Sequence, residues 1–208
     1  MAIFLKNPQN PDLKLAIWKI EEPVEELCRI LDHPESALPA RMESRQKEWL
    51  VIRILTKMLL GTNTVPVLEY DEKGKPSLPD YPYAISITHT KIYVGVLLSS
   101  SPSCGVDLEI IHPRIEKIAG RFLSTEEQHH IHSNDPLQVL YITWGAKEVL
   151  YKIYGKGGIL FKHHLKVEPF TFQKEGVVTA SIEKENYSKA HSVHYRQMGE
   201  LMLTYATE

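Results

Sequence analysis

The chain has 208 residues, a formal net charge of −2, and 24% charged and 43% hydrophobic residues, an ordinary globular balance with length enough for one large domain or two small ones. That charge gives no global case for nucleic acid or an anionic membrane as partner. Two cysteines, Cys28 and Cys104, are too few for a disulfide scaffold and suggest a reducing, cytoplasmic compartment, while Met1–Ile20 reads as no secretory signal and no later run is long enough to span a bilayer.

In chain order, Leu13–Ile20 (L-K-L-A-I-W-K-I) predicts a strand. A helix starts at Glu21-Glu22-Pro23, with Val24, Leu27, Ile30 and Leu31 on its apolar face. Ser44–Leu60 predicts a long helix ended by Gly61, with Trp49, Arg53 and Lys57 sharing one face at i, i+4, i+8. Val65–Tyr70 reads as a strand and Asp71–Pro76 as a turn. Tyr83–Ser99 reads as a two-stranded hairpin turning near Thr90-Lys91. Ser99–Ser103 (S-S-S-P-S) is the best linker, which sets the expected domains at 1–102 and 103–208.

Cys104–Ile110 (C-G-V-D-L-E-I) alternates apolar residues with acids, the pattern of a half-buried strand. Asp107 and Glu109 leave the same face, about 6–7 Å apart along the strand; Val106, Leu108 and Ile110 are expected to face a core. Adjacent carboxylates repel unless a cation lies between them, and Mg²⁺ prefers such hard oxygen ligands. An isolated D-x-E is by default a solvated strand edge. Arg114–Arg121 predicts a short helix, and Ser124 with Glu127 has the spacing of a capping box opening another. His129, His130, His132, His163 and His164 fit no closed zinc set. Tyr141–Tyr154 predicts a helix with Trp144, Glu148 and Lys152 on one face, the spacing of Trp49, Arg53 and Lys57 repeated 95 residues later. That repeat reads as a faint internal duplication, with helix periodicity as the plain alternative. Gly155-Lys156-Gly157-Gly158 is a loop without P-loop spacing. Ile159-Leu160-Phe161 is core or a partner patch, and Leu165–Thr204 reads as strands turning near Lys174-Glu175-Gly176 and Met198-Gly199.

Together, G-V-D-L-E at Gly105–Glu109, R-F-L-S-T-E-E at Arg121–Glu127 and W-G-A-K-E-V-L-Y-K at Trp144–Lys152 resemble the 4′-phosphopantetheinyl transferase superfamily in order, spacing and composition. The resemblance extends into the N-terminal half. It implies an α/β (α+β type) fold of two similar subdomains related by a pseudo-twofold axis, each a small antiparallel sheet on a long helix. It implies transfer of phosphopantetheine from coenzyme A to a serine of an apo acyl or peptidyl carrier protein, releasing adenosine 3′,5′-bisphosphate. Asp107, Glu109 and Glu148 would hold Mg²⁺, with Asp107, Glu148 and Lys152 in catalytic roles. Gly74-Lys75-Pro76 resembles the family's G-K-P segment along the adenine, and Ile85–Thr90 its S-H-S segment with Thr88 and Thr90 replacing the serines. Lys75, His89, Arg45 and Arg53 are candidates for the nucleotide phosphates, Thr88 for a phosphate hydrogen bond. His89 read alone is equally a structural histidine. A chain holding both halves favours a monomer. Another Mg²⁺-dependent phosphotransferase or phosphohydrolase, and a coenzyme A- or carrier-binding protein without turnover, are the alternatives.

Overall fold

The computed structural model describes residues 2–6, 13–39, 42–131 and 135–208, and the chain divides into two units, Met1–Pro102 and Ser103–Glu208. Both are mixed α/β, each with an antiparallel sheet covered by a long helix.

In the first unit, β1 (Ala2–Lys6) pairs with β2 (Leu13–Lys19). The sequence pattern had not indicated β1. Two helices follow, α1 (Val24–Leu31) and α2 (Glu43–Leu60), the second closed by Gly61 at φ +68°. The predicted strand over Val65–Tyr70 is reduced to β3 (Glu69–Tyr70), which pairs with β4 (Pro76–Ser77). Pro66 has no N–H to give a ladder, so the earlier part of that stretch runs as loop. The hairpin is β5 (Ala84–Thr90) and β6 (Tyr93–Ser99), turning at Lys91. Sheet order is β1-β2-β6-β5. Alternate residues Ala16 and Trp18 of β2 and Val94, Val96 and Leu98 of β6 pack under Leu27 and Leu31 of α1 and Leu50, Val51 and Leu55 of α2.

The second unit begins with β7 (Cys104–Ile110), at the predicted bounds. A 3₁₀ turn at Pro113–Ile118 and α3 (Ala119–Phe122) replace the single predicted helix. In α4 (Thr125–His130) the capping box is complete: Glu127 N–H donates to Ser124 Oγ, and Ser124 N–H donates to the Glu127 carboxylate. Next comes α5 (Pro136–Tyr154), opened by proline in its first turn and closed by Gly155 at φ +64°. The chain continues through α6 (Phe161–His164), β8 (Leu165–Val167), β9 (Glu175–Lys184), β10 (Tyr187–Met198) and β11 (Leu201–Thr207). Strand β9 already starts at Glu175, so the expected turn there is over by that residue. Sheet order is β7-β11-β10-β9-β8. Met202, Ala206, Val193, Tyr195, Val178, Ala180 and Ile182 form one face of this sheet and share a core with Ile142, Ala146, Val149, Leu150 and Ile153 of α5.

Cys28 and Cys104 are free and buried. Among the described residues no helix is long and apolar enough to cross a membrane.

Candidate functional site

The acid pair lies under α5 rather than on an open strand face. Strand β7 pairs with β11 so that Gly105 faces Ala206, Asp107 faces Thr204 and Glu109 faces Met202. Directly opposed residues share a face, and Ala206 and Met202 belong to the core that α5 covers. Two glycines let the helix come down this closely. A Cβ on Gly105 would stand 2.5 Å from Val149 O, and one on Gly145 2.4 Å from Thr204 Oγ1. Asp107 is consequently 7% exposed. Val106 and Leu108 are buried as well, so the expected contrast between a wet acid face and a dry one gives way to a strand covered on both sides.

Helix α5 brings Trp144, Glu148 and Lys152 to this edge as a half-buried stripe, in a stretch where Thr143, Gly145, Ala146, Lys147, Val149 and Leu150 are buried. Lys152 Nζ donates to Asp107 Oδ1 (3.1 Å) and to Val106 O (2.7 Å). It is therefore drawn to the strand rather than to Glu148 on its own helix. Trp144 Nε1 donates to Glu109 Oε1 (3.2 Å), and the indole lies between the rings of Phe122 (5.1 Å) and Phe161 (5.5 Å).

Burial and neighbouring charge raise two of these carboxyls. Burial, then the charge of Asp107, push the Glu148 carboxyl up to about 7; Lys152 opposes this and Glu109 adds to it. Glu109 is raised by burial first and then by Asp107, against the Trp144 hydrogen bond and the charges of Arg114 and Lys152. Asp107, Glu109 and Glu148 are thus a cluster of like charges in partial burial, a cost that a cation would offset. An all-carboxylate donor set suits a hard ion such as Mg²⁺ that keeps several waters. Among the described residues, no three His, Cys, Asp or Glu side chains are brought together closely enough to hold a metal ion, so Asp107, Glu109 and Glu148 are neighbours here and not a formed three-ligand site. His132 lies outside the described residues, as does the side chain of His130.

A second set of charges holds this site from behind. Lys147, the neighbour of Glu148, is fully buried and donates to Glu127 Oε2 (2.6 Å), Phe122 O (2.7 Å) and Phe161 O (3.3 Å). Glu127 Oε1 accepts from Val167 N (3.0 Å). Burial pulls the Lys147 ammonium below its usual range, against the pull of Glu127. Sequence pattern gave Glu127 only as a cap and assigned nothing to Lys147. The available signal was a lysine set among Ile142, Ala146, Val149 and Leu150 in the interior of a helix.

The remaining candidates belong to the first unit. Gly74, at φ +80°, sits in a turn tied by Asp71 Oδ1, which accepts from Lys73 N and Lys75 N. Pro76 then begins β4. Thr88 is buried opposite Gly95, where any Cβ would come within 2.9 Å of the threonine methyl, so a glycine partner makes room for threonine in place of serine. Arg45 and His89 converge on Glu48, with Arg45 bonding one carboxylate oxygen and His89 Nδ1 lying 3.9 Å from the other. Arg53 lies 3.6 Å over the Trp49 ring, whose other neighbour is His33. Glu48 was not foreseen; it stands three residues after Arg45, the spacing of a helical ion pair.

Residues 103–206 match the family model described as the 4′-phosphopantetheinyl transferase superfamily. The 4′-phosphopantetheinyl transferase AcpT of Escherichia coli K12 is 29% identical over 117 residues, 53% of this chain and 59% of that protein. The 4′-phosphopantetheinyl transferase ffp of Bacillus subtilis is 37% identical over 90 residues, 41% of this chain and 40% of that protein. The chain belongs to the 4′-phosphopantetheinyl transferase superfamily. The match spans about three fifths of the length of the AcpT relatives.

Proposed function

We propose that this chain transfers the 4′-phosphopantetheinyl group of coenzyme A to a serine hydroxyl of an apo acyl or peptidyl carrier protein. The observation that carries this reading is the meeting of the two acids of β7 with α5: Lys152 donates to Asp107 Oδ1 and Trp144 to Glu109 Oε1, with the half-buried Glu148 on the same helical stripe. In the reaction the serine oxygen bonds to the β-phosphorus of coenzyme A. The bond from that phosphorus to the bridging oxygen breaks, and adenosine 3′,5′-bisphosphate leaves. Such a transfer needs positioning and charge stabilisation more than covalent help.

Glu148 takes the serine proton, directly or through water. Lys152, anchored on Asp107 and Val106 O, is one side chain from the acids and donates to a phosphate oxygen. Mg²⁺ held by Asp107, Glu109 and Glu148 would neutralise charge on the diphosphate. The first unit supplies the coenzyme A contacts: the Gly74-Lys75-Pro76 turn for the adenine end, Lys75, His89, Arg45 and Arg53 for phosphates, and Thr88 as a hydroxyl donor. The protein works as a monomer in the cytoplasm.

The test is intact mass spectrometry of apo carrier proteins incubated with the protein, coenzyme A and Mg²⁺. The expected result is a mass gain of one phosphopantetheine on the carrier serine, abolished by chelation and restored by Mg²⁺. Coenzyme A consumed with every carrier unmodified would replace transfer with hydrolysis.

A further inference from the structure

The buried pair Lys147–Glu127 lies outside the reacting groups, yet its bonds end on the residues that hold one of them. Lys147 has three ammonium protons and three acceptors: Glu127 Oε2 and the carbonyls of Phe122 and Phe161. Phe122 ends α3 and Phe161 begins α6. Their rings lie against Trp144, at 5.1 and 5.5 Å. Trp144 in turn donates its indole N–H to Glu109. Glu127 anchors the other end by accepting from Ser124 N in the α4 cap and from Val167 N in β8. A single buried ammonium therefore ties together two backbone segments, α3 and α6, that are far apart in sequence.

We infer that Lys147 and Glu127 are positioning residues: by holding the Phe122 and Phe161 backbones they close an aromatic clamp on Trp144, which fixes the orientation of Glu109 at the carboxylate cluster. A buried charge pair is a poor source of stability, because desolvation of both ions offsets their attraction. What such a pair supplies is geometry, since each bond must be met at one place. Partners behind a ligating carboxylate commonly set its affinity for a cation. This inference rests on the proposed role of Glu109, while the link from Lys147 to Trp144 is open to a test that needs no turnover.

The three tryptophans of the chain give three indole N–H resonances, and Trp144→Phe identifies the one of interest. Its exchange with solvent in the metal-free protein reports the bond to Glu109, with Glu109→Ala as the benchmark for its loss. Lys147→Met alone leaves the Glu127 charge buried, so the variant of choice is Glu127→Gln/Lys147→Met, which removes both charges and keeps volume. The expected result is an unchanged far-UV circular dichroism spectrum, a Trp144 indole exchanging as fast as in Glu109→Ala, and Trp18 and Trp49 unaffected. Mn²⁺ binding followed by electron paramagnetic resonance should weaken by about tenfold, with KM for coenzyme A unaltered. Should that variant fail to fold, Glu127→Asp keeps both charges while drawing the carboxylate back by one methylene, and faster Trp144 exchange is expected there too. An indole that exchanges at the wild-type rate in a folded variant overturns the inference. If the wild-type protein transfers nothing to any carrier, the functional reading falls, and the exchange rate still decides the clamp.

Discussion

The two long helices carry the same spacing and opposite chemistry. On α2, Trp49, Arg53 and Lys57 follow one another at i, i+4, i+8; on α5 the residues are Trp144, Glu148 and Lys152. In the first unit the tryptophan face is occupied by the guanidinium of Arg53, a cation–π arrangement that leaves a positive group partly exposed. In the second the indole lies between two phenylalanines and spends its N–H on a carboxylate. One helical template thus presents a cation in one unit and an acid in the other. The proposed division of labour, anion binding in the first unit and proton and cation handling in the second, rests on that difference.

The sharpest way to break that division is to remove an acid. Asp107→Ala or Glu148→Gln should lower the transfer rate by about three orders of magnitude while the protein stays folded by circular dichroism; normal turnover in either variant would dismantle the site. Next in size is Lys147→Ala. It strands the Glu127 carboxylate in the interior and should cost about 3–5 kcal/mol in urea unfolding, a loss with no counterpart among the described residues of the first unit. Close behind, Gly145→Ala puts a methyl 2.4 Å from Thr204 Oγ1 and should cost about 1–3 kcal/mol by overpacking, measured the same way. A variant as stable as wild type would mean α5 can lift from the strand.

Smaller effects sharpen the division. Arg53→Ala or Lys75→Ala should raise KM for coenzyme A by about tenfold, the size of one charged hydrogen bond, with kcat little changed. A fall in kcat alone would move those residues into the chemistry. The last contrast is with pH. The Glu148 carboxyl is raised from 4.5 to about 7, so the folded state binds its proton more tightly than the unfolded chain does. The resulting stability is fully present below pH 4.5 and is lost as pH rises through about 7. In metal-free buffer Glu148→Gln should therefore gain stability relative to wild type across that window, and urea titrations at several pH values would show it. Equal curves at all pH values would show that the carboxyl is not desolvated.

Local pattern was enough for most of the elements. Strand β7, the hairpin over Ala84–Ser99, the capping box at Ser124 and the two long helices all follow from alternation, helical spacing and end signals, which act over a few residues. Strand β1 was missed because an edge strand's identity depends on the partner it finds. Val65–Tyr70 was overread because β-branched residues outweighed Pro66, which can supply no N–H.

At the site, the residue types of Asp107, Glu109, Glu148 and Lys152 and their spacing were legible, since a strand repeats every two residues and a helix every three or four. That the acid face of the strand would be covered as well was not. Two glycines, Gly105 and Gly145, bring α5 onto the acids, and their effect exists only when backbone and helix meet. Nor did spacing show that Lys152 would choose Asp107 across 45 residues of sequence over Glu148 on its own helix, or that Lys147 would be buried with Glu127. The sequence by itself determined the elements and the chemical types of the side chains, because both are properties of short stretches. The tertiary structure alone decided who pairs with whom and which charges lose their water, because desolvation depends on everything that packs around a group.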